Sequence, residues 1–373
     1  MIFLDNAGTT KMFEECAETY SFYACQEYYN PSAATRKSAK ISAEINDVRS
    51  LILKKLGTME GTIIFTGGAT ESNNLAIKGA IRGGDYEYVF SSGEHPSVLN
   101  VAKSLQMQGK TVHFVKLQKN GQIDLEDLKN KLNKKTRLIS CMFVSNETGA
   151  INDIKELSKL RDKLAPNALF HIDAVQGFMK IPFSVEDFKV DMLTFSAHKF
   201  HGPKGVGGLY VRKLNYIKNI VDGGGQEYGL RSGTENVPGI MALRTAIEKI
   251  DVRKNYENVQ SLKQKFNEII SKESGIKILD FQGSPYIESL VFTGVKGETM
   301  LHALEEKNVI VGLGSACSSK KAGNRVLSEI GIDKNDIISS CRVSFNAYQT
   351  IDEIEKAADI IIKVYNDIRK RVS

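Results

Sequence analysis

One residue of this chain that could do covalent chemistry is a lysine in a short polar segment between two apolar runs. Lys199 directly follows Ser196, Ala197 and His198, and apolar runs at 192–195 and 206–211 flank the segment. This alternation predicts a strand, a tight loop and a second strand, with the lysine at the mouth of a sheet. A lysine shielded from water on one side can form a Schiff base with an aldehyde. The alternative is a solvated lysine in a surface turn.

A carboxylate ends the apolar run before that one. The run at 168–172 leads directly into Asp173, and Gln176 follows three residues later. A buried aspartate is unfavourable unless it meets a positive charge, and the pyridinium nitrogen of pyridoxal phosphate is such a charge. A carboxylate at that nitrogen keeps the ring protonated as an electron sink, and Gln176 would reach the ring hydroxyl. The alternative is that Asp173 caps a following helix.

A glycine turn further upstream predicts an anion site. An apolar run at 63–65 leads into Gly67 and Gly68, and a helix is predicted to begin near Thr70. Free backbone N–H groups and the helix dipole favour a phosphate at such a point, and the Thr70 hydroxyl adds a donor. Turns of this kind also simply cap helices.

Two more polar residues follow strand-like runs. His95 precedes Pro96, so we expect an extended residue just ahead of a helix. Asn146 follows the β-rich run at 136–144. A histidine hydrogen-bonded to the helix backbone and an asparagine in a left-handed turn are the alternatives.

Strands and helices alternate from about residue 60 to about residue 212, which predicts a mainly parallel sheet with helices on both faces. Ligands of such sheets bind outside the carboxyl ends of the strands. The five polar residues that follow strand-like runs are Thr70, His95, Asn146, Asp173 and Lys199. Together they indicate one shared site more strongly than any of them does alone.

A thiol and a guanidinium lie in the C-terminal part. Cys317 is flanked by small polar residues, with Lys320 and Lys321 close by. These neighbours favour an exposed, reactive thiolate. Cys341 is predicted to be structural, whereas the neighbouring Arg342 is suited to bind a carboxylate bidentately.

Composition limits the class of protein. The chain has 373 residues, 42% of them hydrophobic and 25% charged, and a formal net charge of +6. This length suits a large and a small domain, and the modest, dispersed charge is weak support for nucleic-acid binding. Five cysteines without a CxxC pair argue against a disulfide framework or a zinc site and favour a reducing cytoplasm. We see neither a signal peptide nor a membrane span, and we expect a cytoplasmic protein without a metal.

The motifs resemble those of the NifS/IscS-like cysteine desulfurases, members of the class-V, fold-type I pyridoxal-phosphate enzymes. The resemblance covers nearly the whole chain, and the strings that carry it are 67–74, 145–149, 171–176, 196–199, 223–227, 231–234 and 314–319. The last string resembles the group with the longer catalytic loop. The resemblance implies an α/β fold with a large cofactor-binding domain at 12–251, built on a seven-stranded type of sheet. A smaller α+β domain would comprise 1–11 and 252–373 and carry the catalytic cysteine.

The resemblance also implies a role for each candidate residue. Lys199, His95 and Cys317 would be catalytic: Lys199 would hold pyridoxal phosphate and handle protons together with His95, which would also stack on the cofactor ring. Asn146 and Arg342 would bind the substrate carboxylate. The residues implied in cofactor binding are Ala69, Thr70, His95, Asn146, Asp173, Gln176, Ser196, His198, Lys199 and Thr234. Thr234 would reach the cofactor phosphate of a second subunit, which implies a homodimer.

The implied reaction converts L-cysteine to L-alanine and leaves a persulfide on Cys317. An iron–sulfur scaffold or a thiolation enzyme would then accept the sulfur. Two departures from the family pattern, Thr35–Arg36 and Asn346–Ala347, concern the surroundings of the pocket. Alternatives of the same fold are a selenocysteine lyase, a cysteine-sulfinate desulfinase and a small-substrate aminotransferase, although an aminotransferase needs no thiol. A sulfur-relay scaffold with little turnover is an alternative of another class.

Overall fold

The apolar runs of the chain form short strands, most of them buried. The computed structural model describes residues 1–313 and 324–372. The strands are β1 (Ile2–Phe3), β2 (Thr62–Thr66), β3 (Glu87–Ser91), β4 (Thr111–Val115), β5 (Thr136–Met142), β6 (Leu169–Asp173), β7 (Met192–Ser196), β8 (Gly207–Val211), β9 (Ile276–Ile278), β10 (Ile287–Phe292), β11 (Val309–Ile310) and β12 (Ser340–Ser344).

Helices alternate with these strands and cover them. They are α1 (Glu14–Cys25), α2 (Arg36–Lys55), α3 (Ala69–Gly79), α4 (Pro96–Met107), α5 (Leu125–Lys131), α6 (Ile154–Leu164), α7 (Val185–Phe188), α8 (Val237–Lys249), α9 (Val252–Ile270), α10 (Gly297–Glu305), α11 (Arg325–Glu329), α12 (Lys334–Ile338) and α13 (Ile351–Val372). Among the described residues, no helix combines the length and the apolar character that a membrane crossing needs.

A seven-stranded sheet, in the order β2-β8-β7-β6-β5-β3-β4, forms the centre of the large part. Every pair in it is parallel except the two that involve β8. The short connection from β7 to β8 allows only an antiparallel pair. The other six strands therefore end at the same edge, and the prediction of a mainly parallel sheet is confirmed.

The sheet is buried on both faces. Successive residues of β2 enter different cores, because Ile63 and Phe65 pack in one apolar cluster and Ile64 in another. This follows from the alternation of side chains along a strand. β6, β7 and β8 are buried along their whole length, as expected for strands covered by helices on both sides.

The C-terminal part contains an antiparallel sheet in the order β12-β10-β9, and β1 pairs with β11 in a separate two-stranded sheet. Ile2 and Leu4 pack in the same apolar cluster as residues of α9 and α13. The N-terminal strand thus lies with the C-terminal part of the chain. The domain bounds proposed above stay a prediction.

The small polar residues after the first apolar run predict a helix cap near Thr9 or Thr10, and this local prediction is wrong. Helix α1 begins at Glu14, and Phe13 stands at its cap without a capping side chain. The Thr10 hydroxyl instead donates to the carbonyl of His198 over 3.0 Å and accepts the N–H of His201 over 2.7 Å. The N-terminal segment therefore fixes the loop that carries Lys199.

Candidate active site

The carboxyl ends of the parallel strands surround a cavity of about 1080 Å³. It lies where the large part meets the C-terminal part, because α11 and β12 contribute to its wall. The predicted site residues that line it are Ala69, Thr70, His95, Asn146, Asp173, Gln176, Ser196, His198, Lys199 and Arg342. The structure thus brings together residues that are far apart in the sequence.

Lys199 lies in a single 3₁₀ turn that directly follows β7. Its Nζ donates to the carbonyl oxygens of Ala7 and Gly8, each over 2.7 Å. Burial and, to a smaller extent, the nearby Arg342 cation lower the pKa of Lys199 to about 8. A lysine with such a pKa is partly neutral, and therefore nucleophilic, near neutral pH.

Asp173 ends β6 and is 5% exposed. Its Oδ1 accepts the N–H of Val175 over 3.0 Å, and its Oδ2 accepts the side-chain amide of Asn73 over 2.8 Å. The contact with Val175 belongs to a turn and is not the helix cap given as the alternative, because the next helix, α7, begins at Val185. Asp173 also lines the cavity.

The start of α3 forms an open cradle. Gly68, which precedes it, has φ of 146°, and no side chain caps the helix. A residue with a Cβ would be strained in this conformation. Ala69 and Thr70, the first residues of α3, line the cavity, and the Ser196 hydroxyl lies beside Gly68. Uncapped N–H groups at a helix start are a general anion site.

His95 precedes α4 and lines the cavity, with part of its surface still open to water. Its Nδ1 contacts the Ser97 hydroxyl over 2.8 Å and accepts the Ser97 N–H over 3.1 Å. Burial of the imidazole lowers the pKa of His95, and Lys199 lowers it further, while Asp173 and Glu147 raise it. The net direction favours a neutral ring.

Gln176 has both ends of its amide occupied. Its Nε2 donates to the Ala7 carbonyl over 2.9 Å, and its Oε1 accepts from Nζ of Lys180 over 2.8 Å. Lys180 is 5% exposed and lies 5.6 Å from the ring centre of Tyr286. Burial lowers the pKa of Lys180 to about 7, and the cations of Lys199 and Arg342 contribute.

Arg342, on β12, is held from two sides. Its Nη1 donates to the Asn146 carbonyl and its Nη2 to Asp5, each over 2.8 Å. Its Nε is buried and has no hydrogen-bond partner among the described residues. The Asn146 side chain donates to Glu147 over 2.7 Å, and Glu147 lies 3.8 Å from Arg342. The guanidinium is thus oriented at the cavity wall with a donor left over.

Glu94 is a further buried acid in the wall, 1% exposed. Its Oε1 accepts the N–H of Met142 over 2.7 Å, whereas its Oε2 has no partner among the described residues. Burial raises the pKa of Glu94 well above its usual range, and the Asp173 carboxylate raises it further. Both effects favour the neutral form of Glu94.

His198 contacts the Thr9 hydroxyl through Nδ1 over 3.1 Å. Burial and, to a smaller extent, the Lys199 cation lower the pKa of His198 to about 4. A neutral His198 next to Lys199 adds no positive charge to the cavity.

One predicted residue does not reach this cavity, and another lies outside the described residues. Thr234 is exposed and does not border it. Cys317 lies outside the described residues, which stop at 313 and resume at 324. Cys341 is buried and donates to the Gly297 carbonyl, as expected of a structural cysteine.

The two departures from the family pattern have different surroundings. Thr35 caps α2 by accepting the N–H of Ser38, and neither it nor Arg36 lines the cavity. Asn346 and Ala347 border a second cavity of about 20 Å³, which Lys199 and Lys180 also border. The second departure is therefore the one beside the reactive lysine.

Sequence reasoning missed Asn73, Ser97, Glu94, Lys180, Asp5 and Glu147. Asn73 and Glu147 lie within the strings at 67–74 and 145–149, and Glu94 and Ser97 flank His95, but none of the four was assigned a role. Each of them is a polar residue close to a predicted strand end. At each strand end, however, a role was assigned only to the residue type with the best-known chemistry. Lys180 offered no such signal, because it lies in the apolar string 178–183.

Comparisons with known proteins agree on one family. The family model for class-V aminotransferases matches residues 2–357. A protein of Dictyoglomus turgidum named "Cysteine desulfurase IscS" is 35% identical over 377 residues, which cover 99% of this chain and 95% of that protein.

Solved structures show the same similarity over the whole fold. One described as "NIFS-LIKE PROTEIN" has a TM-score of 0.91 and 31% identity, covering 98% of this chain and 99% of that one. Another, described as "SspA in complex with cysteine", has a TM-score of 0.83 and 30% identity, covering 94% of this chain and all of that one.

Proposed function

This chain belongs to the class-V aminotransferase family, whose members depend on pyridoxal phosphate, and we propose that it is a cysteine desulfurase. It would convert L-cysteine to L-alanine and pass the sulfur to Cys317. The observation that carries the proposal is the meeting of Lys199, Asp173 and the uncapped start of α3 at one cavity, to which Arg342 also turns. The similarity along nearly the whole length to a protein named cysteine desulfurase supports this choice of substrate.

The residues present fit pyridoxal phosphate. The cradle before α3 suits the phosphate, because its N–H groups are uncapped and Gly68 leaves room for close approach. Asp173 suits the protonated ring nitrogen, and the Gln176 amide suits the ring hydroxyl. Lys199 is the amine for the aldehyde carbon. Once bound, the cofactor supplies an electron sink that weakens the bonds at the α- and β-carbons of an amino acid.

The protein itself would bind and orient the substrate. The guanidinium of Arg342, already fixed by Asp5 and the Asn146 carbonyl, would hold the substrate carboxylate with the help of the Asn146 amide. With a pKa near 8, the Lys199 amine can take the substrate's α-proton and return a proton later.

Sulfur transfer would use the Cys317 thiolate. It attacks the substrate sulfur, an S–S bond forms, and the bond from sulfur to the β-carbon breaks. The electron pair of the broken bond stays with the carbon, which takes up a proton and leaves as alanine. The resulting persulfide would be passed on by attack of another thiolate, as in disulfide exchange.

The test measures alanine and sulfide released from L-cysteine, in the presence of a reductant, by the wild type and by Cys317→Ala. We expect the variant to lose release while it keeps the cofactor's absorbance. Cys25→Ala, which changes an exposed free cysteine, is the matched control and should keep full activity. Full activity of Cys317→Ala would contradict the persulfide role, and failure to take up the cofactor would contradict the whole proposal. Faster turnover of selenocysteine than of cysteine would favour a selenocysteine lyase.

We also propose a homodimer in which Thr234 reaches the cofactor phosphate of the second subunit. In support, Thr234 is exposed away from its own cavity, and two contacts fix the chain just before it. Arg231 donates to Glu71 of α3 over 2.8 Å, and the buried ion pair of Arg49 with Glu227 also measures 2.8 Å.

Subunit complementation tests the shared site. Thr234→Ala and Lys199→Ala should each be impaired, whereas a mixture of refolded subunits should regain activity, because each mixed dimer contains one intact site. Absence of recovery in dimers shown to be mixed would contradict the shared site.

An iron–sulfur scaffold or a thiolation enzyme of the cytoplasm is the acceptor we propose, and transfer of radiolabelled sulfur from L-cysteine to the purified acceptor would test it.

A further inference from the structure

Asn73 and Ser97 connect Asp173 to His95. Asn73, on α3, donates from Nδ2 to Asp173 over 2.8 Å and, from the same nitrogen, to the Ser97 hydroxyl over 2.9 Å. Ser97, on α4, contacts Nδ1 of His95 through its hydroxyl over 2.8 Å and through its N–H over 3.1 Å. Three linked hydrogen bonds therefore run from the carboxylate to the imidazole.

The hydrogens of this chain can be placed in only one direction. A carboxylate only accepts hydrogen bonds, so the Asn73 atom beside Asp173 must be the amide nitrogen. The same nitrogen faces the Ser97 hydroxyl, whose oxygen therefore accepts. The one hydrogen of that hydroxyl is left to point at Nδ1 of His95.

Two further observations support this direction. The Ser97 N–H also points at Nδ1, and a backbone N–H can only donate. The Asn73 carbonyl oxygen is buried without a hydrogen-bond partner among the described residues. The amide keeps this unfavourable arrangement because the flipped amide would set its oxygen against the Asp173 carboxylate.

We propose that Asn73 and Ser97 are positioning residues that hold His95 as the neutral tautomer with its proton on Nε2, so that His95 offers the cavity a hydrogen-bond donor and takes no proton from the substrate. Nδ1 already accepts two hydrogen bonds, and Nε2 has no hydrogen-bond partner among the described residues. The lowered pKa of His95 agrees with a neutral ring.

This inference rests on the proposed function for its meaning in the reaction. It gives His95 a narrower role than the family resemblance implies, because proton transfer then falls to Lys199. The Nε2–H group would act on a substrate or cofactor atom that carries negative charge.

Nitrogen NMR of the holoenzyme labelled with ¹⁵N-histidine tests the inference directly. The chain has six histidines, and the His95 signals are those missing from His95→Gln. We expect an unprotonated Nδ1 and a protonated Nε2. A proton on Nδ1 in the wild type would overturn the proposal.

Substitutions at Ser97 test the connection. Ser97→Ala removes one of the two donors to Nδ1, so the Nδ1 resonance should move, and Ser97→Thr should restore it. The matched control is Ser140→Ala, because the Ser140 hydroxyl contacts Nδ1 of His171 over 2.8 Å inside the sheet. That control should move the His171 signal and leave His95 unchanged.

An unchanged His95 signal in Ser97→Ala would overturn the proposed role of Ser97. A wild type that shows the expected tautomer but does not turn over L-cysteine would contradict the proposed function and leave this inference intact. The two failures are therefore distinguishable.

Discussion

Lys199 and Lys180 are two lysines of the same region with different surroundings. Lys199 is half-buried at the mouth of the large cavity and bonded to two backbone carbonyls. Lys180 is buried behind it, bonded to one side-chain oxygen and next to an aromatic ring. Burial lowers both pKa values, to about 8 and about 7 respectively. A lowered pKa therefore does not identify the reactive lysine, whereas access to the cavity does.

The largest expected effect comes from Lys199→Ala. It should reduce turnover by roughly 10²–10⁴-fold or more, since it removes both the amine that binds the cofactor and the proton acceptor. Lys213→Ala, which changes an exposed lysine after β8, is the control and should retain full activity. Reduction of the holoenzyme with borohydride, followed by peptide mass spectrometry, should find the cofactor on Lys199. Finding the cofactor on Lys180 would mean that Lys180, and not Lys199, is the reactive lysine.

Lys180→Met should have a smaller effect on turnover, roughly 10-fold and below the 10²-fold that a misplacement of 1 Å can cause. Without the ammonium group at Oε1, the Gln176 amide is no longer fixed in one orientation. Lys180→Arg, which keeps a donor, should recover part of the lost rate. Steady-state kinetics on L-cysteine measures both variants, and a Lys180→Met enzyme as fast as the wild type would show that Gln176 needs no such support.

The pH dependence of cofactor uptake distinguishes the charges around Lys199. Apoprotein should take up pyridoxal phosphate faster as the pH rises through about 8, because Lys199 then loses its proton. Arg342→Gln removes a cation that lowers this pKa, so the rise should move to higher pH. Stopped-flow absorbance measures the rate, and an unshifted rise in Arg342→Gln would contradict the attribution.

Replacing Lys180 should raise the stability of the fold, although it should lower the rate of turnover. Its pKa is about 7 in the folded protein against 10.5 in the unfolded chain, so the unfolded chain binds more protons between these values. The resulting destabilisation is fully present below about pH 7 and disappears as the pH approaches 10.5.

Lys180→Met should therefore be more stable than the wild type near pH 7, with a free energy of unfolding higher by about 1–3 kcal/mol after the loss of one hydrogen bond is subtracted. It should accordingly unfold at a higher temperature. The gain should shrink as the pH rises towards about 10. Thermal unfolding of the apoproteins across this pH range measures the difference. A gain independent of pH would mean that packing, and not charge, is responsible.

The sequence predicted Lys199 but not Lys180, and the reason is physical. Lys199 follows an apolar strand and has polar neighbours, so the local pattern itself indicates a strand end. Lys180 lies among Phe178, Met179 and Ile181, where a lysine is more often exposed on a turn. Only the tertiary structure shows that its ammonium group meets Gln176 beneath the cavity.

The rest of the fold and of the site also divides into features that the sequence predicts and features that only the tertiary structure shows. The meeting of strand ends at one edge of the sheet followed from the alternation of elements, because parallel strands point the same way. The contact of Arg342 with Asp5 did not, since it depends on β1 lying beside the C-terminal part. The direction of the hydrogen bonds that run through Asn73 and Ser97 could not be predicted either, because it depends on distances between α3 and α4. Sequence patterns predicted which polar group stands at the end of each strand, whereas contacts between elements decide how that group is oriented.

The smallest expected effect concerns the ring beside Lys180. The Lys180 ammonium lies 5.6 Å from the ring centre of Tyr286, a distance at which a cation is attracted to an aromatic face. Tyr286→Leu should lower stability at every pH through lost packing. It should lower stability further, by about 0.5–1 kcal/mol, where Lys180 is charged. Tyr286→Phe keeps the ring and should lack this pH-dependent part. Denaturant unfolding near pH 6 and near pH 9, on either side of the Lys180 pKa of about 7, measures the difference. An equal loss at both pH values would show that the ring stabilises the buried lysine no better than an alkyl side chain does.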